Sequence, residues 1–188
     1  MPKPILTAEM LEKYDYSESI TQLFQNHYPD GITEWNLEEQ IKLLKTPLRK
    51  YLGCFWQDRL LENISMEGVD LIGINLTEAY LIGANLTGAD LQGVDFIDAN
   101  FTRANLTDAN LTEANLTEAN FYRANLTGVN LRGANLYRAD LMRTNLTGAN
   151  LTGANIRHCY FYNTIFHKAI LTNTKLNPKD FYKYFLKK

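Results

Sequence analysis

Residues 104–128 read ANLTD-ANLTE-ANLTE-ANFYR-ANLTG, and the same five-residue pattern extends in both directions along the chain. A large apolar residue, here called the centre of the repeat, recurs at every fifth position from Met66 to Leu176. All 23 centres are apolar. With an apolar content of 45%, random placement of residues would produce this pattern roughly once in 10⁸ trials. The residue two before the centre is small or compact almost throughout, with Ile74 the bulkiest exception, and Asn or Asp usually follows it.

A period of five fits neither regular secondary structure. On an α-helix it would rotate each centre by about 140° from the last, and on a straight strand it would alternate faces. A chain that turns a corner every five residues instead points each centre, and the residue two before it, toward a common interior. Four such sides make one coil of about 20 residues, and stacked coils hydrogen-bond at about 4.8 Å spacing. The pattern therefore predicts a four-sided solenoid.

The A(N/D)LXX motif, repeated from Ile64 to Pro178, closely resembles that of the pentapeptide-repeat proteins. The resemblance implies a mainly β fold, a right-handed quadrilateral parallel β-helix with stacked Leu and Phe ladders. About five to six coils are expected from the coil length. The family is common in cyanobacteria, and most of its members have no known activity, so the resemblance specifies the fold much more closely than the function.

Residues 1–63 do not repeat, and we predict a small helical region there. Helices are expected from Thr7 to Tyr14, from Ser17 to about His27, over Leu37–Leu44, and from Pro47 onward, on the basis of capping residues and apolar spacing. This region, residues 1–63, is interpreted either as a cap on the first coil or as a separate recognition module. The solenoid itself is predicted to occupy residues 64–178.

A third segment, residues 179–188, is predicted to form a short capping helix. Pro178 suits a first helical position with Asn177 as its N-cap. Phe181, Phe185 and Leu186 would then cover the last coil. The resemblance implies an alternative, because a C-terminal segment mediates dimerisation in some family members, so monomer and homodimer both remain open.

Composition favours a reduced, cytoplasmic protein without a cofactor. The net charge of −2 gives little attraction to nucleic acid or to anionic membranes, and no apolar run approaches the roughly 20 residues needed to cross a bilayer. Cys54 and Cys159 are too few for a disulfide framework, and Cys159 falls at an inward position of the repeat. The three histidines lack metal-ligand spacing. We predict no catalytic, cofactor-binding or metal-binding residue, no small-molecule substrate and no enzymatic activity.

The outward positions suggest a working surface, because aromatic residues and arginines collect on two adjacent sides of the predicted coil. This combination is typical of recognition surfaces. The candidate residues of this Tyr/Arg face are Tyr80, Arg103, Tyr122, Arg123, Tyr137, Arg138, Met142, Arg143, Tyr160 and Tyr162. Two alternatives stay open: the N-terminal helices could cover the face, or its arginines could merely pair with acids such as Asp98, Glu118 and Asp140.

These observations favour a protein-interaction or scaffold role with an unidentified protein partner. The resemblance offers an alternative, since the best-understood relatives bind the type II topoisomerase gyrase by imitating DNA. Such mimicry needs dense negative charge, whereas the repeats carry 10 acidic and 8 basic residues. Direct nucleic-acid binding would need a strongly basic surface, which is limited to the tail lysines.

Overall fold

The computed structural model describes residues 22, 25, 26, 28–30 and 65–177. By internal packing the chain divides into two compact units, Met1–Leu52 and Gly53–Lys188. In the first unit Gln22, Gln25 and Asn26 are helical, and the Gln22 amide donates a hydrogen bond to Asn26 Oδ1 (3.1 Å). The remaining predicted helices, including the C-terminal one, lie outside the described residues, and the boundaries at 63 and 178 stay predictions.

Residues 65–177 form a four-sided coil that completes one turn every 20 residues. Parallel β-bridges join each residue that precedes a centre to its equivalent 20 positions on, from Ser65–Asn85 to Asn155–Lys175. Each bridge is a single residue flanked by turns, so this part of the chain contains no strand longer than that residue. The predicted solenoid and its register are confirmed for these residues.

The interior is filled by two kinds of side chain from every repeat. Centres from Met66 to Phe161 are buried, and so are the residues two before a centre from Val69 to Cys159, including Ile74. In the last described coil Phe166, Leu171 and Leu176 are only half-buried. Because each coil covers the core of the one beside it, burial is complete only where coils lie on both sides.

Each corner is a turn closed by a hydrogen bond from the residue three after the centre, as from Ala109 N to the Leu106 carbonyl (3.1 Å). The residue two after the centre has positive φ at every corner from Gly68 to Asn173. At many corners it is not glycine: Arg103 and Glu113, for example, have φ of 60° and 59°. Inter-coil bonding holds these residues in a conformation that favours glycine.

The Asn or Asp before the centre caps the backbone of the same turn. Its side-chain oxygen accepts a hydrogen bond from the N–H of the residue just after the centre, as Asn120 Oδ1 does from Tyr122 N (2.9 Å) and Asp140 Oδ1 from Met142 N (2.8 Å). The other backbone N–H groups of the repeat bond to carbonyls of neighbouring coils or of the turn. The Asn or Asp side chain therefore accepts from the one backbone N–H of each repeat that has no backbone acceptor.

Polar residues at the inward small position are tolerated because a carbonyl is within reach. The fully buried Thr144 donates its hydroxyl to the Phe121 carbonyl (2.7 Å), and Thr164 donates to that of Leu141 (2.6 Å). The Cys159 thiol makes the equivalent contact with the Leu136 carbonyl (2.9 Å). Cys159 is thus a buried core thiol, as its position in the repeat predicts.

Candidate interaction face

The candidate residues lie on two neighbouring sides of the coil. One side contains the centres Leu81, Phe101, Phe121, Leu141 and Phe161, and the side before it contains Leu76, Phe96, Leu116, Leu136 and Ile156. Residues 20 apart in sequence lie directly above one another, so equivalent outward positions form columns parallel to the solenoid axis. We call the column Arg103, Arg123 and Arg143 the arginine column.

The backbone fixes the arginine column beside a column of larger side chains. Arg103 N donates to the Tyr122 carbonyl (3.0 Å), Arg123 N to that of Met142 (3.1 Å), and Arg143 N to that of Tyr162 (2.8 Å). All three arginines are exposed and occupy the left-handed corner position. Their backbone positions are therefore set by inter-coil hydrogen bonds, while their guanidinium groups reach into solvent.

Tyr122 lies next to this column and contacts one of its members. The Arg123 guanidinium lies over the Tyr122 ring, with Cζ 5.2 Å from the centroid, within the range of a cation–π contact. Tyr122 and Met142 are half-buried. Tyr80 is half-buried as well.

On the side that precedes the arginine column, the outward side chains of Arg138, Glu118, Tyr137 and His158 contact one another. Arg138 Nη1 lies 3.2 Å from Glu118 Oε1, although both side chains are about half exposed, at 57% and 47%. This hydrogen bond raises the pKa of Arg138 above its usual value, with a further contribution from Tyr137. The Arg138 guanidinium also lies over the Tyr137 ring (5.3 Å), which meets His158 edge-on (5.3 Å).

Within the described residues, pairing with a nearby acid occurs at Arg138 alone among these four arginines. Among the residues described, no carboxylate pairs with Arg103, Arg123 or Arg143. Asp140, one of the acids proposed as a partner, instead accepts the backbone N–H of Met142. Pattern analysis missed this because it did not recognise that the residue before the centre is committed to capping.

The last described coil exposes further apolar surface. Tyr160 and Tyr162 are 60% and 61% exposed, and Ile165 and Ile170 are about half exposed. At positions 160, 165, 170 and 175 the usual Asn or Asp is replaced by Tyr, Ile, Ile and Lys. Ile165 and Ile170 were not among the predicted site residues, and the break in the Asn/Asp pattern is the signal that could have identified them.

Asn and Thr form a hydrogen-bonded network on the two remaining sides, and it recurs at Asn115, Thr117 and Asn135 on the side before the arginine column. Thr107 Oγ1 donates to Asn105 Oδ1 (2.6 Å) and accepts from Asn125 Nδ2 of the next coil (2.9 Å). The same arrangement recurs between Asn105 and Thr87, and between Asn145 and Thr127. These polar groups therefore bond mainly to one another, in contrast to the arginine column.

The described residues offer neither a metal site nor a membrane-spanning helix. No cluster of three His, Cys, Asp or Glu side chains suited to a metal ion occurs there. No helix in the described part of the chain is long and apolar enough to cross a bilayer. The predicted contact residues Phe181, Phe185 and Leu186 lie outside the described residues.

Comparison with known proteins identifies the repeat. The sequence model of the family described as pentapeptide repeats matches residues 64–103, 104–141 and 139–177, which together make up more than half of the chain. No curated protein gives a significant match.

Solved structures of repeat proteins are similar to this chain. A pentapeptide repeat protein from the thylakoid lumen of Arabidopsis thaliana is 36% identical with a TM-score of 0.52, over 53% of this chain and 69% of that one. A pentapeptide repeat protein from Nostoc PCC 7120 is 30% identical over 62% of this chain and 79% of its own, with a TM-score of 0.35. QnrB1, a plasmid-mediated fluoroquinolone resistance protein, is 23% identical over 64% of each chain, with a TM-score of 0.31.

Proposed function

The chain belongs to the pentapeptide-repeat family, whose structures are right-handed quadrilateral β-helices, and from this premise we propose that it is a non-enzymatic interaction or scaffold protein. Its partner is a protein that binds the Tyr/Arg face. The interior of the described coils is filled with Leu, Phe, Ala and similar side chains. Contact with another molecule therefore depends on the outward residues.

The observation that carries this proposal is that three exposed arginines, none of them paired with a carboxylate of the described residues, are stacked in one column beside Tyr and Met side chains. Asn and Thr on two sides bond to one another, and Arg138 pairs with Glu118. The arginine column has no such partner within the described residues, and it lies beside Tyr122, Met142 and Tyr162. Arg, Tyr and Met are the residues enriched where proteins contact one another.

We do not extend the proposal to DNA mimicry. The repeats hold 10 acidic and 8 basic residues, so they lack the field of a phosphate backbone. The arginine column has the opposite sign to the one that mimicry requires. The likeness to QnrB1 concerns the fold alone.

The terminal segments complete the proposal for the fold. We propose a helical region over residues 1–63, which is either a cap or a separate recognition module, and a capping helix over residues 179–188. Half-burial of Phe166, Leu171 and Leu176 supports a cap at the C-terminal end, because such side chains are normally covered in a solenoid. Cytoplasmic location and a monomeric or dimeric state remain part of the same proposal.

The test is an affinity capture from cells of the source organism that compares two matched double variants. Tyr122→Ser/Arg123→Ser removes the cation–π pair from the Tyr/Arg face. Thr152→Ser/Arg132→Ser removes one exposed arginine from a Thr-rich side. We expect the first variant to lose proteins that the second and the wild type retain; equal capture by both variants would contradict the proposal.

A further inference from the structure

We propose that the arginine column binds a short acidic stretch of a protein partner, in extended conformation and rich in carboxylates. This inference rests on the proposed function, since it names the chemistry recognised by part of the same face. Its starting point is that Arg103, Arg123 and Arg143 are exposed, aligned and unpaired with any carboxylate of the described chain.

Alignment gives the column a defined length. The bridges Asn100–Asn120 and Asn120–Asp140 keep adjacent coils in register, so successive arginines are separated by one coil spacing of about 4.8 Å. Three arginines therefore span about 10 Å at their backbones, the length of about three residues of an extended chain. A partner segment with two or three carboxylates matches this length, and an arginine guanidinium binds a carboxylate in bidentate geometry.

The positive charges of the arginine column are also not balanced by a paired carboxylate among the described residues. Three like charges at this spacing repel one another, and two of them, Arg103 and Arg143, have no aromatic ring beneath them among the described contacts. Arg138 shows the alternative outcome in the same molecule, because Glu118, one coil below it, pairs with its guanidinium. An acidic ligand would supply to the arginine column what Glu118 supplies to Arg138.

A protein segment suits this column better than a nucleic acid does. Nucleic-acid affinity increases with the number of phosphates neutralised, and this column offers only three cations. A longer polyanion would also extend beside Glu78, Asp98 and Glu118, which form an exposed acidic column on the preceding side. Tyr122, Met142 and Tyr162 alongside the arginines provide the apolar contacts usual in a protein interface.

The experiment measures binding of a fluorescein-labelled hexaglutamate peptide to the full chain by anisotropy at low salt. The decisive variant is Arg103→Gln/Arg123→Gln/Arg143→Gln, and the control is Arg132→Gln, an exposed arginine on a Thr-rich side of the coil. We expect the triple variant to weaken binding about tenfold, as the loss of three exposed charge contacts would. The control removes a single positive charge outside the Tyr/Arg face and should change affinity by less than about twofold.

Three outcomes would overturn the inference. These are absence of hexaglutamate binding, equal weakening by Arg132→Gln, and tighter binding of an oligothymidine of equal charge, which would indicate a nucleic-acid ligand. Thermal unfolding checks that the variants fold. If the triple variant still captures the native partner that Tyr122→Ser/Arg123→Ser loses, the acidic-ligand inference fails while the proposed function stands.

Discussion

The rings of Phe101 and Phe121 stack with their centroids 4.8 Å apart and their planes 3° from parallel. The two residues are 20 positions apart, so the ring separation matches the spacing expected between adjacent coils. Phe96, on the neighbouring side, meets Phe101 edge-on at 4.9 Å and 72°. The interior therefore combines ring stacking along the solenoid axis with edge-on ring contacts between neighbouring sides.

We expect Phe121→Ala to destabilise the solenoid by about 3–5 kcal/mol, because it removes a fully buried ring and leaves a cavity between two coils. Phe121→Leu should cost much less, since Leu141 occupies the same position one coil above. Chemical denaturation of both variants would measure the difference. Equal destabilisation by the two would contradict the stacking described for this ladder.

The caps make a second prediction, which compares two asparagines. Asn120→Ala should cost about 1–3 kcal/mol by leaving the Tyr122 N–H without its acceptor. Asn105→Ala should cost more, because Asn105 also bonds to Thr107 and Thr87. Asn120→Asp keeps the acceptor, as Asp140 does naturally, and should cost less than Asn120→Ala, although the new carboxylate lies one coil from Asp140. Denaturation midpoints in a different order would show that capping is not the role of this position.

A third prediction concerns two glycines with similar backbone conformation. Gly88 and Gly128 have φ of 64° and 68°, so alanine at either should cost about 1–2 kcal/mol. The added Cβ meets nothing at Gly88 but overlaps the Asp108 carboxylate at Gly128. Gly128→Ala should therefore be more harmful by the small cost of rotating the Asp108 carboxylate away, and adding Asp108→Ala should remove that excess. Thermal unfolding of the three variants measures this, and an excess that survives Asp108→Ala would indicate another cause.

Sequence analysis predicted the solenoid closely, because a centre such as Leu106 has only one way to be buried at a period of five. It also located the Tyr/Arg face, since columns follow directly from a 20-residue coil. It did not separate Arg138 from Arg143, although the 20-residue coil already places Glu118 one coil before Arg138 and Arg123 one coil before Arg143. Nor did it explain the Asn before each centre, because that role depends on which backbone N–H remains unpaired.

A fourth prediction concerns the charges of the Tyr/Arg face: two variants should shift the melting temperature in opposite directions. Arg103→Gln/Arg143→Gln relieves repulsion within the arginine column and should raise the melting temperature at low salt. Arg138→Gln breaks the pair with Glu118 and should lower it. Both differences should shrink as sodium chloride is increased, because these charges are exposed. Shifts of the same sign in the two variants would contradict the assignment of paired and unpaired arginines.

The most direct test of the central claim, that residues 20 apart lie above one another on a four-sided coil, is a pair of engineered disulfides. Both pairs are made in a protein whose natural cysteines are removed by Cys54→Ser and Cys159→Thr. Thr suits position 159 because Thr144 and Thr164 occupy equivalent inward positions. Thr112→Cys/Arg132→Cys joins adjacent coils at a separation of about 4.8 Å, within the range of a disulfide. Thr112→Cys/Thr127→Cys, 15 residues apart, places the thiols on different sides. Mild oxidation should cross-link the first pair alone; cross-linking of the second pair, or of neither, would contradict the four-sided coil.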